Sequence, residues 1–286
     1  MKNSRCITIN NRAWNIVAIA NKNGSIQVAP EAGFSLVSFK WNGRELLELW
    51  DLAAFLGSDA DLTSIDEKAP DIFRKGFGPS IGPWFGPRSE TEPAYFQHGV
   101  CRFANWQDVT VSENSITGRL DGKKDKINGK TLNEICGFDF SVEISFMLTG
   151  TGLDYRIKNF SAGGKGTFGI HWYWKNPADT EVRLQVDAGK FSPDATTVPL
   201  TNGEIIGENC IFNQAFPSAS TGLARRKGAI TYADGSGIDF YYDDAFAITV
   251  LFNRARGICF EPVSGPAKQV GMFKEGLIRM TPHHMI

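Results

Sequence analysis

Apolar and polar residues alternate over many short stretches of this chain, and residues typical of turns separate the stretches. An alternation with a period of two is typical of β-strands that bury one face. From residue 13 to residue 28 the pattern predicts a strand, a turn and a second strand. Further strands are predicted over residues 109–120, 138–148, 153–160, 167–174, 182–186, 229–232, 237–242, 247–252 and 258–263.

Local signals between the strands predict turns and one helix. Asn42-Gly43 lies between two apolar runs and predicts a tight β-hairpin. Residues 46–56 are apolar without β-branching or strict alternation, which predicts a short helix that Gly57 ends. The run Lys123-Lys-Asp-Lys126 predicts a solvated hairpin tip. Residues 193–222 are rich in turn residues.

The succession of strands predicts the fold class. No linker, repeat or low-complexity region interrupts it. Many short strands with Gly- and Pro-containing turns are typical of a sandwich or barrel. A chain of 286 residues is within the length that such folds reach as one unit. We therefore predict an all-β fold, a single domain over residues 1–286 built as a large antiparallel β-sandwich with a few short helices.

The net charge limits the classes of binding partner, and the cysteine usage indicates the redox compartment. Thirty basic and thirty-one acidic residues give a formal net charge of -1, so no nucleic-acid or anionic-membrane partner is expected. The N-terminus has no continuous apolar run, and no later run approaches the length that spans a bilayer. The five scattered cysteines lack C-x-x-C spacing and are typical of buried thiols in a reducing compartment. We expect a soluble, cytoplasmic protein.

One of the four histidines, His171, lies in the aromatic stretch Phe168–Lys175. On a strand, one face would carry Gly169, His171 and Tyr173, and the other Ile170, Trp172 and Trp174. A histidine in such surroundings is either a hydrogen-bonded core residue or a titratable group in a site. Taken by itself, the segment leaves both interpretations open.

Two further polar residues, His98 and Glu261, also stand among apolar and aromatic neighbours. A carboxylate within Ile-Cys-Phe-Glu-Pro is costly to bury unless it has a partner or a role. Pro262 cannot donate to a sheet, so Glu261 is expected at a strand end or edge. Burial raises the pKa of a carboxyl and lowers the pKa of an imidazole, which would suit Glu and His for proton transfer near neutral pH.

Histidine and glutamate are also metal-ligand types. No H-x-H, H-E-x-x-H or Asp-rich loop fixes them at short spacing, so no metal site is predicted. A metal-dependent β-barrel enzyme stays an alternative that metal in a purified sample would support. His283-His284 is interpreted as a frayed tail. The glycines show neither a phosphate-loop spacing nor G-x-G-x-x-G, which argues against a nucleotide cofactor.

Four short motifs follow one another along the chain: Trp84-Phe-Gly-Pro-Arg88, Gln97-His98-Gly-Val-Cys-Arg102, His171-Trp-Tyr-Trp174 and Phe260-Glu261-Pro-Val-Ser-Gly265. Their order and spacing resemble those of the aldose 1-epimerases, or sugar mutarotases, whose fold is the galactose mutarotase-like supersandwich. The first resembles the early substrate loop of that family. The others resemble its His-Gly-x-x-Arg, His-Pro-Tyr-Phe and Glu-Pro motifs. The resemblance spans residues 33–282.

This resemblance implies an isomerase that interconverts the α and β anomers of a hexose or hexose phosphate without a cofactor. His171 would be the general acid and Glu261 the general base, facing each other across a gap about one pyranose ring wide. His98 and Arg88 would hold sugar oxygens. The partner would be a small-molecule sugar or sugar phosphate, and the protein a monomer or homodimer. The alternative is a catalytically silent carbohydrate-binding or sugar-sensing protein on the same fold.

The remaining site residues also follow from the resemblance. Trp84, Trp172 or Trp174 would pack on the apolar face of the sugar, and at least one of the last two is expected in the core. The segments around Arg74 and Arg88 resemble the hexose-6-phosphate mutarotase branch, and both guanidinium groups would then bind phosphate. Candidates for the family's substrate-binding aspartate are Asp187, Asp194 and Asp243. The chain stops at Ile286, which is short of the family's final strand.

Overall fold

The structure is a computed structural model and describes residues 3–9, 12–48, 79–87, 96–175, 182–187, 204–207, 213–254 and 257–284. The strands are β1 (Asn3–Ile9), β2 (Arg12–Ala20), β3 (Gly24–Ala29), β4 (Ser35–Trp41), β5 (Arg44–Glu45), β6 (Ser80–Ile81), β7 (Asp108–Val111), β8 (Ser115–Asp121), β9 (Lys126–Ile127), β10 (Lys130–Thr131), β11 (Ser141–Leu148), β12 (Leu153–Asn159), β13 (Gly169–Ile170), β14 (Tyr173–Lys175), β15 (Val182–Val186), β16 (Glu204–Gly207), β17 (Asn213–Pro217), β18 (Gly228–Tyr232), β19 (Gly237–Tyr242), β20 (Ile248–Arg254), β21 (Gly257–Val263) and β22 (Glu275–His283). A helix, α1 (Leu132–Cys136), and a 3-10 turn (Ala162–Gly164) are also described.

These strands pair antiparallel in four sheets. A nine-stranded sheet has the order β16-β15-β18-β19-β22-β12-β11-β8-β7. A six-stranded sheet has the order β17-β20-β21-β13-β6, and β14 also pairs with β21. The N-terminal strands form a five-stranded sheet, β1-β2-β3-β4-β5, and β9 pairs with β10. The predicted all-β, antiparallel class is confirmed.

An aromatic core lies between the nine-stranded and six-stranded sheets. Phe240 of β19 stacks on Phe260 of β21 with ring centroids 4.1 Å apart. Trp172, between β13 and β14, contacts Phe146 of β11 and Tyr155 of β12. All five side chains are fully buried, so the two sheets pack face to face as a sandwich.

The alternation of side chains assigns each sheet face. Trp172 and Trp174 contact each other on the core side, whereas His171 packs against Tyr173 on the opposite side. The predicted division of this segment between two faces is therefore confirmed. The segment is not one strand, however, because His171 and Trp172 interrupt the ladder between β13 and β14.

Turn chemistry explains the hairpins. Asn42 and Gly43 connect β4 to β5 with φ of 47° and 78°, conformations that Asn and Gly tolerate best. The turn at residues 21–24 connects β2 to β3 as predicted. The side chains of Lys123 and Lys124 are exposed, but the segment that follows them contains β9, β10 and α1 rather than a simple hairpin tip.

Several other expectations need correction. Residues 46–48 are not helical, since Leu47 bridges to Trp174, and residues 49–56 lie outside the described residues. The turn-rich stretch 193–222 contains β16 and β17. The C-terminal stretch is a strand: β22 lies between β19 and β12, and His283 pairs with Gly237 instead of fraying. The alternation of apolar and polar residues over 278–281 is the signal in the sequence for this strand.

Candidate active site

The pairing of β21 determines where His171 lies. On one side of the interruption Gly169 is opposite Val263, and on the other Tyr173 is opposite Cys259. An antiparallel register is constant, so His171 stands across from the residue midway between the two partners, Glu261. Residues in such positions have Cβ atoms about 4.5–5.5 Å apart.

Two backbone features explain the close approach of β13 to β21 and the break in pairing beside it. A Cβ at Gly169 would lie 2.4 Å from the carbonyl oxygen of Pro262, so only glycine fits there. Pro262 has no N–H to donate across the interruption, and the N–H of His171 donates instead to the carbonyl of Pro79, 3.0 Å away. Glu261 thus lies inside a strand next to a local break in pairing, not at the strand end that the sequence predicted.

His171 and Glu261 are in contact. Nε2 of His171 lies 3.4 Å from Oε1 of Glu261, and the side chains are 12% and 2% exposed. Burial raises the pKa of Glu261 from 4.5 to about 8, against a smaller opposing effect of the Cys259 hydrogen bond and the Arg102 charge. The carboxyl group therefore keeps its proton to a higher pH than an exposed glutamate does.

The contact corrects one expectation. A gap about one pyranose ring wide was predicted between the two groups, but they touch, and the carboxyl lies almost entirely beneath the imidazole. The imidazole is the member of the pair that reaches solvent. The carboxyl faces His171 and Cys259 rather than the aromatic core.

Cys259 is a third member of this group. It precedes Glu261 by two residues on β21, so their side chains lie on the same face. Its thiol hydrogen-bonds to the Glu261 carboxyl, and its Sγ lies 3.6 Å from Nδ1 of His171. Among the described residues, these three metal-ligand types have donor atoms within 4.8 Å of one another.

His98 packs on the same group from another segment. Its ring makes an edge contact with His171, with centroids 4.9 Å apart, and lies 5.5 Å from the ring of Phe85. The Gly86 N–H donates to Nδ1 of His98 at 3.4 Å, which leaves the ring proton on Nε2. Burial, and then the His171 and Arg102 charges, lower the pKa of His98 well below its usual range, so this imidazole is neutral.

Backbone hydrogen bonds connect the motif that carries His98 to the loop that contains Trp84. The Gly82 N–H donates to the carbonyl of His98, and the His98 N–H donates to the carbonyl of Gly86, both at 3.0 Å. Gly99 has φ of 80°, and a Cβ there would lie 2.2 Å from the carbonyl oxygen of Gly82. The two segments therefore pack backbone to backbone, which fixes His98 against His171.

Arg102 ends the same motif and acts at longer range. It is 7% exposed, its guanidinium lies over the Phe103 ring with Cζ 5.2 Å from the centroid, and its charge lowers the pKa of both His98 and Glu261. Arg102 belongs to one of the four motifs but is not among the predicted site residues, and neither is Cys259. The two-residue spacing of Cys259 and Glu261 on a predicted strand was the available signal for the cysteine.

Of the tryptophans predicted in the sugar site, Trp172 lies in the core and Trp84 lies beside the His98 segment. Trp172 is fully buried on the core side, so the prediction that it packs on a sugar is wrong. The alternation that exposes His171 necessarily turns its neighbour away. Trp84 is 6% exposed, and its indole N–H donates to the carbonyl of Pro87 at 2.7 Å. It lies in the loop bound to the His98 segment, and its contact with a sugar stays a prediction.

Of the other predicted ligands, the structure describes only Asp187 and Asp243, and neither is part of this group. Arg74, Arg88 and Asp194 lie outside the described residues. Asp187 accepts a hydrogen bond from the Ser220 N–H, and Asp243 accepts from the N–H groups of Leu277 and Ala245. The last two aspartates thus bind backbone amides. No helix among the described residues has the length and apolar character needed to cross a membrane.

Comparison with known proteins identifies the fold. No protein-family model matches the sequence, and a search of curated proteins gives no match. Among solved structures, the Slr1438 protein from Synechocystis sp. PCC 6803 aligns with a TM-score of 0.71 at 16% identity, over 96% of this chain and 98% of that one. A putative aldose 1-epimerase from Escherichia coli K12 aligns with a TM-score of 0.65 at 13% identity, over 94% and 99% of the two chains.

Galactose 1-epimerase from Lactobacillus acidophilus NCFM aligns with a TM-score of 0.64 at 10% identity, over 99% of each chain. These alignments extend through nearly the whole of each neighbour. The chain has the galactose mutarotase-like β-sandwich fold, as the aldose 1-epimerases do.

Proposed function

We propose that this protein is an aldose 1-epimerase that interconverts the α and β anomers of a hexose or hexose phosphate. The observation that carries the proposal is the contact of the His171 imidazole with the Glu261 carboxyl, whose pKa is raised by burial, on a fold that known sugar epimerases share. A buried pair of titratable groups with a shifted pKa is typical of an acid–base site.

The reaction needs only two proton transfers. A base removes the proton of the anomeric hydroxyl while an acid protonates the ring oxygen, and the bond from C1 to the ring oxygen breaks. The open-chain aldehyde turns about its C1–C2 bond, and the reverse transfers close the other anomer. Each positioned proton transfer typically contributes about 10²–10⁴-fold. We assign Glu261 as the base and His171 as the acid.

The short distance between the two groups is compatible with this chemistry. The anomeric hydroxyl and the ring oxygen are bonded to the same carbon, so both groups would reach them from one direction once the His171 imidazole moves aside and exposes the carboxyl beneath it. A gap on either side of the ring is not required. His98, neutral and with its proton on Nε2, would donate a hydrogen bond to a sugar oxygen.

Substrate choice is the finer part of the proposal. We propose that Arg88, with Arg74, binds the phosphate of a hexose phosphate, and that Trp84 supports the apolar face of the sugar. The buried thiols of Cys101, Cys136 and Cys259 suit a cytoplasmic enzyme of carbohydrate metabolism, acting as a monomer or homodimer. No cofactor enters the proposed steps.

The near-complete burial of Glu261 favours a second function, carbohydrate binding without catalysis. One experiment separates the two. The optical rotation of freshly dissolved α-glucose, α-galactose and their 6-phosphates is followed with and without protein, together with E261Q. An enzyme accelerates the drift for at least one sugar, and E261Q does not. If no aldose responds but one of them shifts NMR signals of the protein, the protein binds sugars without converting them.

A further inference from the structure

The thiol of Cys259 has no task in the proposed reaction, yet it lies against both reacting groups. Its Sγ is 3.6 Å from Nδ1 of His171, and it hydrogen-bonds to the carboxyl of Glu261. A thiol, an imidazole and a carboxyl group are the three ligand types that Zn²⁺ uses in proteins. The group is thus a ligand set that the proposed mechanism does not explain.

The separations of the donor atoms suit a bound ion. Zn–S bonds are about 2.3 Å and Zn–N and Zn–O bonds about 2.0–2.2 Å, so tetrahedral ligand atoms lie about 3.3–3.7 Å apart. Here the donors of the three residues lie within 4.8 Å of one another, and one pair is already at 3.6 Å. The widest separation thus exceeds the tetrahedral value by about 1 Å.

The charges also match. Thiolate and carboxylate together carry two negative charges, which a divalent ion neutralises in a site where unpaired charges are costly. Cys259 and Glu261 are 0% and 2% exposed, and the 12% exposed side chain of His171 leads from them to solvent. Three protein ligands leave a fourth position for water, as in open zinc sites.

We propose that His171, Cys259 and Glu261 form a binding site for a thiophilic divalent cation, Zn²⁺ in the first place, and that the bound ion inhibits the protein by occupying its proton-transfer groups. The binding site stands on the geometry by itself. The inhibition rests on the proposed epimerase function. Mg²⁺ and Ca²⁺, which prefer oxygen ligands, are not bound there.

Co²⁺ is the probe, because its spectrum reports a thiolate ligand directly. Chelator-treated protein is titrated with CoCl₂ and compared with C259S, with C136S as the matched control. Cys136 is equally buried, but in α1, and its desolvated thiol has a raised pKa. Folding of each variant is checked by circular dichroism. A double variant, H283A with H284A, removes the two adjacent histidines near the C-terminus, because these are also metal-ligand types.

The expected result is one Co²⁺ per chain, with a sulfur-to-metal charge-transfer band in wild type, C136S and the His283/His284 variant. In C259S the band is lost and affinity falls at least about 10–100-fold, the loss that a change even to an outer partner of a metal ligand produces. A band that survives in C259S, the absence of any band in wild type, or binding that requires His283 and His284 would overturn the proposal.

The inhibition is tested separately. Zn²⁺ should slow the anomer conversion by wild type, chelator should restore it, and C259S should need at least about tenfold more Zn²⁺. A charge-transfer band in a protein that converts no aldose would sink the epimerase proposal and keep the metal site. If the protein converts an aldose, Zn²⁺ leaves the rate unchanged and Co²⁺ gives no charge-transfer band, the metal-site proposal fails and the epimerase proposal stands.

Discussion

Nε2 of His171 lies 3.4 Å from Oε1 of Glu261, and the strand register brings the two residues together across ninety positions of sequence. The pairs on both sides of the interruption belong to one register, so the contact does not depend on a loop conformation. The proton-transfer groups are therefore held by the sheet, which is the more precise support for a site.

Removal of either member of the pair should abolish the proposed activity. We expect H171N and E261Q each to lower kcat by about 10²–10⁴-fold. The double variant should be little worse than either single one, because groups that act as a unit are not additive. Polarimetry measures the rates, and thermal unfolding of each variant is the control. Losses that multiply in the double variant would contradict a joint role.

The assignment of Glu261 as base predicts a pH profile. Its pKa is raised to about 8 by burial, so the reactive carboxylate becomes more abundant as pH rises through that value. With a chelator present, kcat/KM should follow a bell-shaped pH profile, because the rate rises as Glu261 loses its proton and falls as His171 loses its own. A rate that does not change between pH 5 and pH 10 would contradict proton transfer by this pair.

The same shift predicts a pH dependence of stability. The pKa of Glu261 is 4.5 ordinarily and about 8 in the folded protein, so the folded state binds the proton more tightly. Its contribution to stability is complete below pH 4.5 and is lost as pH rises through 8. Relative to E261Q, the wild-type free energy of unfolding should fall by on the order of 4 kcal/mol between pH 5 and pH 9.

Urea unfolding of both proteins, with chelator present, measures this difference. An equal pH dependence in wild type and E261Q would mean that the carboxyl is not desolvated as described.

The backbone contact beneath His98 predicts that Gly99 cannot be replaced. G99A should lower the free energy of unfolding by at least about 2 kcal/mol, because a Cβ would collide with the carbonyl of Gly82 and the positive φ adds strain. Gly129 is the matched control, since its φ of 77° is similar but the space around it is open. Urea unfolding should show a smaller loss, about 1 kcal/mol, for G129A. Equal losses would contradict the collision.

Trp172 should behave as a core residue. W172A should lower the free energy of unfolding by about 3–5 kcal/mol, the usual loss for a large buried side chain. W172F should lower it less, because the indole N–H has no hydrogen-bond partner within the described part of the chain. For folded W172F, KM for the best aldose should stay within about twofold of wild type. A large rise in KM would instead show that Trp172 belongs to the sugar-binding site.

The sequence predicted the parts of the site that depend on local pattern. The four motifs included His98, His171 and Glu261, and alternation assigned His171 and Trp172 to opposite faces. The distance between His171 and Glu261 was not predictable, because it depends on the pairing of strands distant in sequence. The predicted gap was wrong for this reason: cross-strand neighbours are a few ångströms apart.

The other incorrect predictions have similar causes. The strand at residues 167–174 is split because Pro262 on the partner strand removes a donor, which a pattern within one segment cannot reveal. Leu46 and Leu47 suggested a helix, but Leu47 is in a bridge to Trp174. Cys259 was read as an ordinary buried thiol, since its neighbours in sequence are apolar and its polar partners come from elsewhere.

The central position of β21 also has a dynamic consequence. This strand is hydrogen-bonded to β20 along its whole length and to β13 and β14 on its other edge. Its amides should therefore be among the last to exchange with deuterium, whereas the interruption at His171 and Trp172 has fewer bonds to break. The carboxyl of Glu261 is therefore held more rigidly than the imidazole of His171. If a ligand enters the site, the imidazole is the group that moves.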